Sequence, residues 1–328
     1  MREIGGYYEL EHNTGSLLHD AALPLGSGRA CLRYLIEQRG IRKLALPDFL
    51  CDVVTQVCRE CGVETRVYPV GEDLRPLLPA LGADEWLYVV NYYGQLTLEE
   101  LSSIRERFPR LIVDNAQAYF DLPLPGVDAL YTCRKFLGVP DGGFLYTDAP
   151  ERALPEDRSL DRMDFVLGRF EEGAGAFYVQ ASRNNDALPS EPRRMSRLTE
   201  NLLRGIDLDR VRLRRRENFL RLHEALGKYN GLSVRPTEGA FAYPLLLENG
   251  PAVRQALIRE KIFVPMLWPN VLREQPEGST AYRLAENILP LPCDQRYGAE
   301  EMAFVAETVL RCLRTKNRKQ EDSACLSM

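Results

Sequence analysis

Short apolar runs alternate with longer amphipathic stretches through the first half of the chain. The runs KLALP, ETRVYPV, EWLYVVNYYG, RLIVDNAQA, DALYTCRKF and GGFLYTD each contain a segment that is typical of a strand, and KLALP is typical of a short buried one. Strands joined by helices favour an α/β fold, with a mainly parallel sheet covered by helices on both faces. The two consecutive strands on either side of Lys135 indicate one place where the strand order or direction changes.

The amphipathic stretches predict helices over residues 28–39, 51–62 and 97–108. Ser27 is a suitable N-cap for the first of these helices, and Gly40 is a suitable end for it. Thr97 and Glu100 have the spacing of a capping box at the start of the third.

The pattern changes after about residue 150. A polar, proline-containing connection leads into helices, and the stretch from Ser196 to Leu226 is predicted as one long helix or two. The last third combines apolar segments with helical patterns in PAVRQALIREK and AEEMAFVAETVLRCLRT, which favours a smaller α+β unit. We therefore predict a large domain over residues 1–210 and a small C-terminal α+β domain over residues 211–328.

The composition is that of an ordinary globular protein, with 328 residues, 45% hydrophobic and 27% charged. The net charge of −5 does not suggest nucleic acid or an acidic membrane as the main partner. One run, Arg210 to Leu226, is basic, and a nucleic-acid-binding arm is one interpretation of it. Apolar residues interrupt its charges, which favours instead a helix whose arginines face solvent or an interface.

The amino-terminal residues MREIGGYYELEHNTG contain no apolar core followed by a cleavage site, and no apolar stretch approaches the length of a membrane span. The eight cysteines are scattered, so we expect reduced thiols in a cytoplasmic protein. Cys58 and Cys61 have C-x-x-C spacing but lie in a helical pattern, and the chain has three histidines. Ordinary helix cysteines are therefore favoured over a zinc or redox site.

Three groups with useful chemistry lie at predicted strand ends or helix starts. The segment GSGRA, residues 26–30, begins a helix, where free backbone N–H groups favour an anion, although such a cap is more often structural. Asp114 ends an apolar strand, where it either meets a cation or donors, or caps the following turn. Lys135 follows another strand, and a semi-buried site would lower the pKa of its amine and leave it able to attack a carbonyl.

Gly142 and Gly143 follow this lysine and would let the backbone pass close to a flat ligand. The segment NYYGQ, residues 91–95, lies at a further strand end. A phosphate-binding helix start, an aspartate and a lysine together describe a site for pyridoxal 5'-phosphate (PLP). The lysine would form a Schiff base with the aldehyde, and the aspartate would pair with the protonated pyridine nitrogen.

The order SGRA, NYYGQ, DNAQA and RKFLGVPDGG resembles the DegT/DnrJ/EryC1/StrS sugar aminotransferases, a family of fold type I PLP enzymes. The resemblance covers roughly residues 20–320 and is strongest in DNAQA and in the lysine followed by Gly-Gly. It implies a homodimer with active sites between the subunits. It also implies transfer of an amino group from glutamate or glutamine to a nucleotide-linked keto sugar, in polysaccharide or glycoside biosynthesis.

The resemblance further implies roles for individual residues. Lys135 matches the Schiff-base lysine, which moves a proton as general base and acid, and Asp114 matches the partner of the pyridine nitrogen. The other cofactor-binding positions are Gln117 near the ring hydroxyl, Gly28 and Arg29 with their backbone on the phosphate, and Thr132 with its hydroxyl on the phosphate.

Cys51 stands where many members of the family place an aromatic residue over the cofactor ring. A thiol cannot stack in that way, so Asp52 or Tyr93 are alternatives for covering this face. The asparagine that the partner subunit contributes in the family has candidates in Asn184 and Asn185, and the run PRRMS is a further candidate for the partner's contribution.

The aromatic residues Trp268, Tyr243 and Phe241 offer flat surfaces for a base or a sugar ring, with a core or interface position as the alternative for the tryptophan. Arg283 and Arg296 are candidates for clamping a donor carboxylate, although an arginine in such a position is more often on the surface or in an ion pair.

Two other functions stay open. Dehydratases that resemble this family usually replace the lysine by histidine, whereas residue 135 is lysine. A PLP-fold scaffold that binds without catalysis, as a regulator or partner subunit, is compatible with Cys51 and with the short chain. A purified aminotransferase should be yellow and should bleach when an amino donor is added.

Overall fold

A seven-stranded sheet lies at the centre of the molecule, of which the computed structural model describes residues 4–173 and 175–325, with side chains up to residue 314. Its strands are β1 (Leu23–Leu25), β2 (Lys43–Pro47), β3 (Glu64–Tyr68), β4 (Trp86–Val90), β5 (Leu111–Asp114), β6 (Asp128–Thr132) and β7 (Gly143–Tyr146). The spatial order is β1-β7-β6-β5-β4-β2-β3. Strands β2 to β6 run parallel, whereas β7 is antiparallel to β1 and β6. The predicted parallel sheet and the change of direction after Lys135 are confirmed.

Three helices connect the strands of this sheet: α1 (Gly28–Arg39), α2 (Asp52–Glu60) and α3 (Leu98–Arg107). The Ser27 side chain accepts a hydrogen bond from the backbone N–H of Ala30, and Gly40 ends α1 in the left-handed conformation. Thr97 and Glu100 form the predicted capping box at the start of α3. The predicted boundaries of α1 and α3 are therefore confirmed.

The remaining helices are α4 (Asp164–Glu171), α5 (Tyr178–Ala187), α6 (Arg197–Arg204), α7 (Leu208–Leu226), α8 (Gly250–Arg259), α9 (Val271–Glu274), α10 (Thr280–Asn287) and α11 (Ala299–Cys325). Strands β8 (Tyr243–Leu246) and β9 (Ile288–Leu291) form an antiparallel pair. The stretch that was predicted as one helix or two is two, since Gly205 ends α6 and Asp207 caps α7. The predicted domain division after residue 210 falls inside α7 and stays a prediction.

Neighbouring residues of the central strands point into two separate cores. Leu44 and Leu46 of β2 pack into the core under α1, whereas Ala45 packs into the core on the other face of the sheet. A third core lies between α7, α8, α11 and the β8–β9 pair. Because both faces of the sheet are buried at its centre, the strands β2, β4 and β5 are near-continuous apolar runs. The edge strand β3 differs, since four of its five residues are exposed. Among the described helices, none has the length and apolar character that crossing a membrane requires.

Candidate active site

The ends of the parallel strands bring the predicted site residues to one edge of the sheet. Asp114 is the last residue of β5 and lies opposite Leu130 of the neighbouring β6. Lys135 lies in the turn that follows β6, and β7 begins at the same edge with Gly143 opposite Thr132. Ligands of parallel α/β sheets bind at this carboxyl edge.

Asp114 is buried, with 8% of its surface exposed, and holds two hydrogen bonds. Its Oδ2 atom accepts from the Tyr88 hydroxyl at 2.8 Å, and its Oδ1 atom accepts from the backbone N–H of Ala116 at 2.8 Å. Burial, with the nearby charge of Asp114, raises the pKa of Tyr88 far above its usual value, so the phenol stays a donor. Asp114 therefore caps the following turn and keeps further oxygen lone pairs for a ligand.

The side chain of Lys135 is exposed. The turn that carries it is closed by the backbone N–H of Phe136, which donates to the carbonyl of Cys133 at 2.9 Å. The Lys135 Nζ atom lies 5.9 Å from the centre of the Phe241 ring. The expectation of a semi-buried amine is therefore wrong for the single chain, in which the Lys135 side chain is exposed.

The first turn of α1 provides an amide cradle, the backbone N–H groups of Gly28 and Arg29. Among the described residues neither group has an acceptor, whereas the next two amides of the helix donate to Ser27. A Cβ atom built on Gly28 would meet only Leu130, at 3.9 Å, so there is open space beside the cradle. Unpaired N–H groups at the positive end of a helix bind anions.

The side chains nearest the cradle already have partners in the single chain. An Arg29 terminal nitrogen donates to the carbonyl of Leu188 at 3.0 Å, and burial lowers the pKa of this guanidinium. The Thr132 hydroxyl donates to the carbonyl of Gly142 at 3.1 Å and keeps its oxygen lone pairs for a further donor. A bond from the Thr132 hydroxyl to a phosphate therefore stays a prediction and would require its proton to turn.

Gln117 and Cys51 each follow a parallel strand of the sheet, β5 and β2 respectively. The Gln117 Oε1 atom accepts from the backbone N–H of Tyr93 at 2.9 Å and so fixes the loop after β4. Burial raises the pKa of the Cys51 thiol, and the positive charge of Lys135 opposes that shift. Tyr93 is 1% exposed, so its phenol ring does not present an open face to a ligand, while Asp52 is exposed at the start of α2.

Several predicted substrate contacts lie elsewhere. Trp268 packs edge-on against Phe49 at 4.5 Å between ring centres, and Tyr243 is fully buried in the third core. Flat surfaces for a sugar or base are therefore wrong for these two rings. Arg283 pairs with Glu72, and Arg296 pairs with Asp294, so both arginines have the ion-pair position that was the alternative.

The segment expected to reach a partner subunit bonds within its own chain. The Asn184 amide donates to the carbonyl of Pro140 at 2.9 Å, and Arg134 donates to the Asn185 side chain at 3.4 Å. In the PRRMS run, the backbone N–H of Met195 donates to the carbonyl of Pro24 in strand β1 of the large sheet. These contacts fix α5 and the following loop against the segment after Lys135 and against strand β1.

The cysteines that the structure describes are free, and Cys58 and Cys61 lie at the end of α2. Within the described residues, no group of three or more histidine, cysteine or acidic side chains could hold a metal ion. Cys58 lies within α2 and Cys61 is its C-terminal cap residue, so the predicted helical position of both is confirmed.

One residue of the basic run, Arg215, was not identified from the sequence. It is 2% exposed and contacts the loop after Lys135, in contrast to the expectation that these arginines face solvent or an interface. Its spacing in the sequence could have predicted this burial. Arg215 lies four residues after Val211 and four before Phe219, and both of these residues are buried on the apolar face of α7.

The residues at this edge fit PLP by their chemistry. The cofactor needs an amine for its aldehyde, a carboxylate for its pyridine nitrogen and donors for its phosphate. Lys135 has no ion pair in the described part of the chain, Asp114 retains free lone pairs, and the amide cradle has two unpaired N–H groups.

No family model and no curated protein matches the chain by sequence. Solved structures do match it. DesI in the presence of its TDP-sugar product has a TM-score of 0.65 at 18% identity, over 92% of this chain and 83% of that chain. A DegT DnrJ EryC1 StrS aminotransferase from Brucella abortus has a TM-score of 0.59 at 16% identity, over 88% and 84% of the two chains. The putative sugar aminotransferase Spr1654 from Streptococcus pneumoniae, in its PLP form, has a TM-score of 0.62 at 16% identity, over 91% of each chain.

The chain spans most of the length of each of these structures, so the likeness extends over both the large sheet and the smaller α+β unit. The predicted resemblance is confirmed at the level of three-dimensional structure. The protein has the fold of the type I, DegT/DnrJ/EryC1/StrS-type sugar aminotransferases.

Proposed function

We propose that the protein is a PLP-dependent aminotransferase that carries an amino group from glutamate or glutamine to a nucleotide-linked keto sugar, as a cytoplasmic homodimer in polysaccharide or glycoside biosynthesis. The observation that supports this most strongly is the meeting of Asp114, Lys135 and the amide cradle at one edge of the sheet. The shared fold supports the reaction class, and the TDP-sugar product named with DesI supports a nucleotide-linked substrate.

Each of these groups would have a distinct role. Lys135 would hold the cofactor through its Nζ atom, and the amide cradle would bind the phosphate. The Asp114 carboxylate would accept a charged hydrogen bond from the protonated pyridine nitrogen. PLP, when bound, supplies an aldehyde that condenses with amines and a ring that withdraws electrons. The freed Lys135 amine would take the proton from the Cα atom of the donor and would deliver it to the carbon that was the aldehyde carbon of the cofactor.

Covalent trapping tests this assignment. Purified protein is incubated with PLP, reduced with borohydride and digested, and the peptides are identified by mass spectrometry. We expect the reduced adduct on Lys135, and none in a Lys135→Ala variant that folds like wild type. The other lysines, such as Lys43 beside Asp84, are internal controls. An adduct on another lysine of coloured protein would contradict the proposal.

A competition identifies the acceptor. The protein is loaded with an amino group from glutamate or glutamine, separated from the donor, and offered either a nucleotide-linked keto sugar or a panel of simple keto acids. We expect the visible absorbance of the starting form to return with the sugar nucleotide alone. Fast return with several keto acids, and none with any keto sugar, would reject the sugar while leaving the cofactor assignment in place.

A further inference from the structure

Arg215 of α7 is a buried cation that contacts the loop carrying Lys135. Each of its three nitrogens has an acceptor. Nε donates to Gln295 Oε1 at 2.7 Å, one terminal nitrogen donates to the carbonyl of Ala240 at 2.8 Å, and the other donates to the carbonyl of Phe136 at 2.8 Å. The guanidinium also lies 4.9 Å from the centre of the Phe136 ring.

Phe136 directly follows Lys135 in the chain. Its carbonyl accepts a second hydrogen bond, from Gln295 Nε2 at 2.9 Å, so two donors from outside the turn hold one oxygen. A fixed carbonyl fixes the plane of its whole peptide unit. The turn that presents Lys135 is thereby tied to α7 and to the segment after β9.

The other terminal nitrogen of Arg215 binds the segment that carries Phe241. Ala240, whose carbonyl it holds, precedes Phe241, and the Phe241 ring lies 5.9 Å from the Lys135 Nζ atom. The Phe241 and Phe136 rings are also 5.9 Å apart, centre to centre. A single guanidinium therefore sets the position of the lysine turn relative to the aromatic ring beside the amine.

Arg215 makes hydrogen bonds to carbonyl and amide oxygens instead of an ion pair among the described residues. Burial lowers its pKa, and the charge of Asp294 opposes that shift without a direct contact. A buried cation that makes no ion pair is unfavourable unless hydrogen bonds offset the cost. The planar fork of arginine can serve three acceptors in fixed directions, which a lysine ammonium cannot reproduce.

We propose that Arg215 is a positioning residue for Lys135, and that with Gln295 it holds the Lys135 turn and the Phe241 ring in the arrangement in which the amine meets the cofactor. This role rests on the proposed PLP-dependent function. The contacts that define it are present in the chain without cofactor, so they can be tested separately.

The first test is hydrogen exchange of the cofactor-free chain over residues 133–139. We expect Arg215→Met to exchange the amides of Phe136 and Leu137 about tenfold faster, because a charge-assisted hydrogen bond to the turn is lost. Arg215→Lys should lie between this variant and wild type. Arg254→Met is the matched control, since Arg254 is 6% exposed and donates to the carbonyls of Glu286 and Ile288 in the smaller unit. It should leave the turn unchanged.

The second test uses the PLP-loaded protein. The fraction of Lys135 trapped by borohydride, and the pH midpoint at which the visible absorbance changes, are measured for the same variants. We expect Arg215→Met to lower the trapped fraction and to shift the pH midpoint, because the turn no longer holds the Lys135 amine in place for the cofactor. Arg215→Lys, which keeps part of the donor set, should restore part of both values, while Arg254→Met should change only the stability of the fold.

The outcomes separate the two proposals. Unchanged exchange and an unchanged midpoint in Arg215→Met, or equal changes in Arg254→Met, would overturn the positioning role. If Arg215→Met does not fold, Arg215→Lys and Gln295→Met are used instead, because each removes donors from the same contacts. Unchanged hydrogen exchange in both of these variants would overturn the positioning role. If wild type binds no PLP, the proposed function fails, whereas the exchange result still decides whether Arg215 fixes the turn.

Discussion

Asp114 shows how one side chain can cap a turn and still serve a ligand. Both of its oxygens have a protein donor, from Tyr88 and from the backbone of Ala116, and each oxygen retains a lone pair. These donors stabilise the charged carboxylate at a buried strand end, where it would otherwise be costly. The carboxyl group is therefore oriented before any ligand arrives, and a preorganised group of this kind is the condition for electrostatic catalysis.

We expect Asp114→Asn to lower the rate of amino transfer on the order of 100-fold, because a preorganised charge opposite the pyridine nitrogen is lost. Tyr88→Phe is the control, since it removes one donor and keeps the carboxylate. Its rate should fall by less than about tenfold, the usual effect of one hydrogen bond. Single-turnover kinetics and circular dichroism of both variants provide the measurement, and a near-normal rate in Asp114→Asn would reject the role.

His19 is a buried titratable residue whose ring packs against Tyr119, Tyr131 and Phe144. Its ring is 2% exposed, and its Nε2 atom donates to the carbonyl of Tyr119 at 2.8 Å, while Nδ1 accepts from the Tyr146 hydroxyl at 3.1 Å. Burial lowers the pKa of His19 from 6.5 to about 4. The unfolded chain therefore binds a proton between these pH values and the folded chain does not, so stability falls as the pH drops from 6.5 to 4.

We expect the free energy of unfolding to lose about 3 kcal/mol from this residue between pH 7 and pH 4. Burial raises the pKa of Asp121 to about 6, which acts in the opposite direction over the same range. The measurement is therefore the difference between wild type and His19→Gln in urea unfolding at both pH values, in which the Asp121 contribution cancels. His12→Gln at the exposed amino-terminal segment is the control, and equal slopes in wild type and His19→Gln would contradict the prediction.

At the scale of elements, the change of strand direction between β6 and β7 determines which segments meet at the site. Gly142 has φ of 119°, a conformation that favours glycine, and its backbone N–H donates to the carbonyl of Gly26 at 2.8 Å. A Cβ atom on Gly143 would lie 2.7 Å from the backbone of Ser27. The two glycines thus let β7 pass directly beside the start of α1, which places the amide cradle next to the lysine turn.

We expect Gly143→Ala to lower the free energy of unfolding by about 2 kcal/mol, as for other overpacked sites, and to weaken PLP binding because Ser27 and the cradle must shift. Gly175→Ala is the matched control, since nothing lies within 4 Å of an added Cβ atom there. Urea unfolding and PLP titration of both variants are the measurements. Wild-type stability and affinity in Gly143→Ala would show that the close approach has no such role.

At the scale of the whole molecule, the smaller α+β unit holds the loops of the large sheet through their backbone. Arg235 donates to the carbonyls of Gly94 and Leu96 at 2.6 and 3.0 Å, and the Asn270 amide donates to the carbonyl of Leu50 at 3.0 Å. The α4–α5 pair exposes apolar side chains, with Phe170 89% and Tyr178 74% exposed. Exposed apolar surface of this kind marks an interaction site.

We expect the protein to be a homodimer that buries this α4–α5 face. The reason is that α5 and the loop after it also contact the segment after Lys135 and the first turn of α1. Light scattering should give twice the mass of the chain, and Phe170→Asp should shift the equilibrium toward monomer by about tenfold or more. Leu213→Asp, at a residue of α7 that is 55% exposed, is the control and should leave the dimer intact. A monomer at working concentration for wild type would rule out shared active sites.

The sequence by itself determined the regular elements and the order of the chemical groups along them. The strands after Ser27, the caps at Ser27 and Thr97, and the positions of Asp114 and Lys135 at strand ends all depend on residues a few positions apart, and the structure confirms them. Strand β1 was missed, because three residues carry no periodic signal.

The tertiary structure decided what each of these groups meets. It left the Lys135 amine exposed, packed Trp268 into the core, and buried Arg215 against the carbonyl of Phe136. These outcomes depend on contacts between segments far apart in the chain, such as α7 with the turn after β6. A local pattern assigns a residue to an element and a face, whereas burial, charge balance and hydrogen-bond partners arise only when those faces pack together.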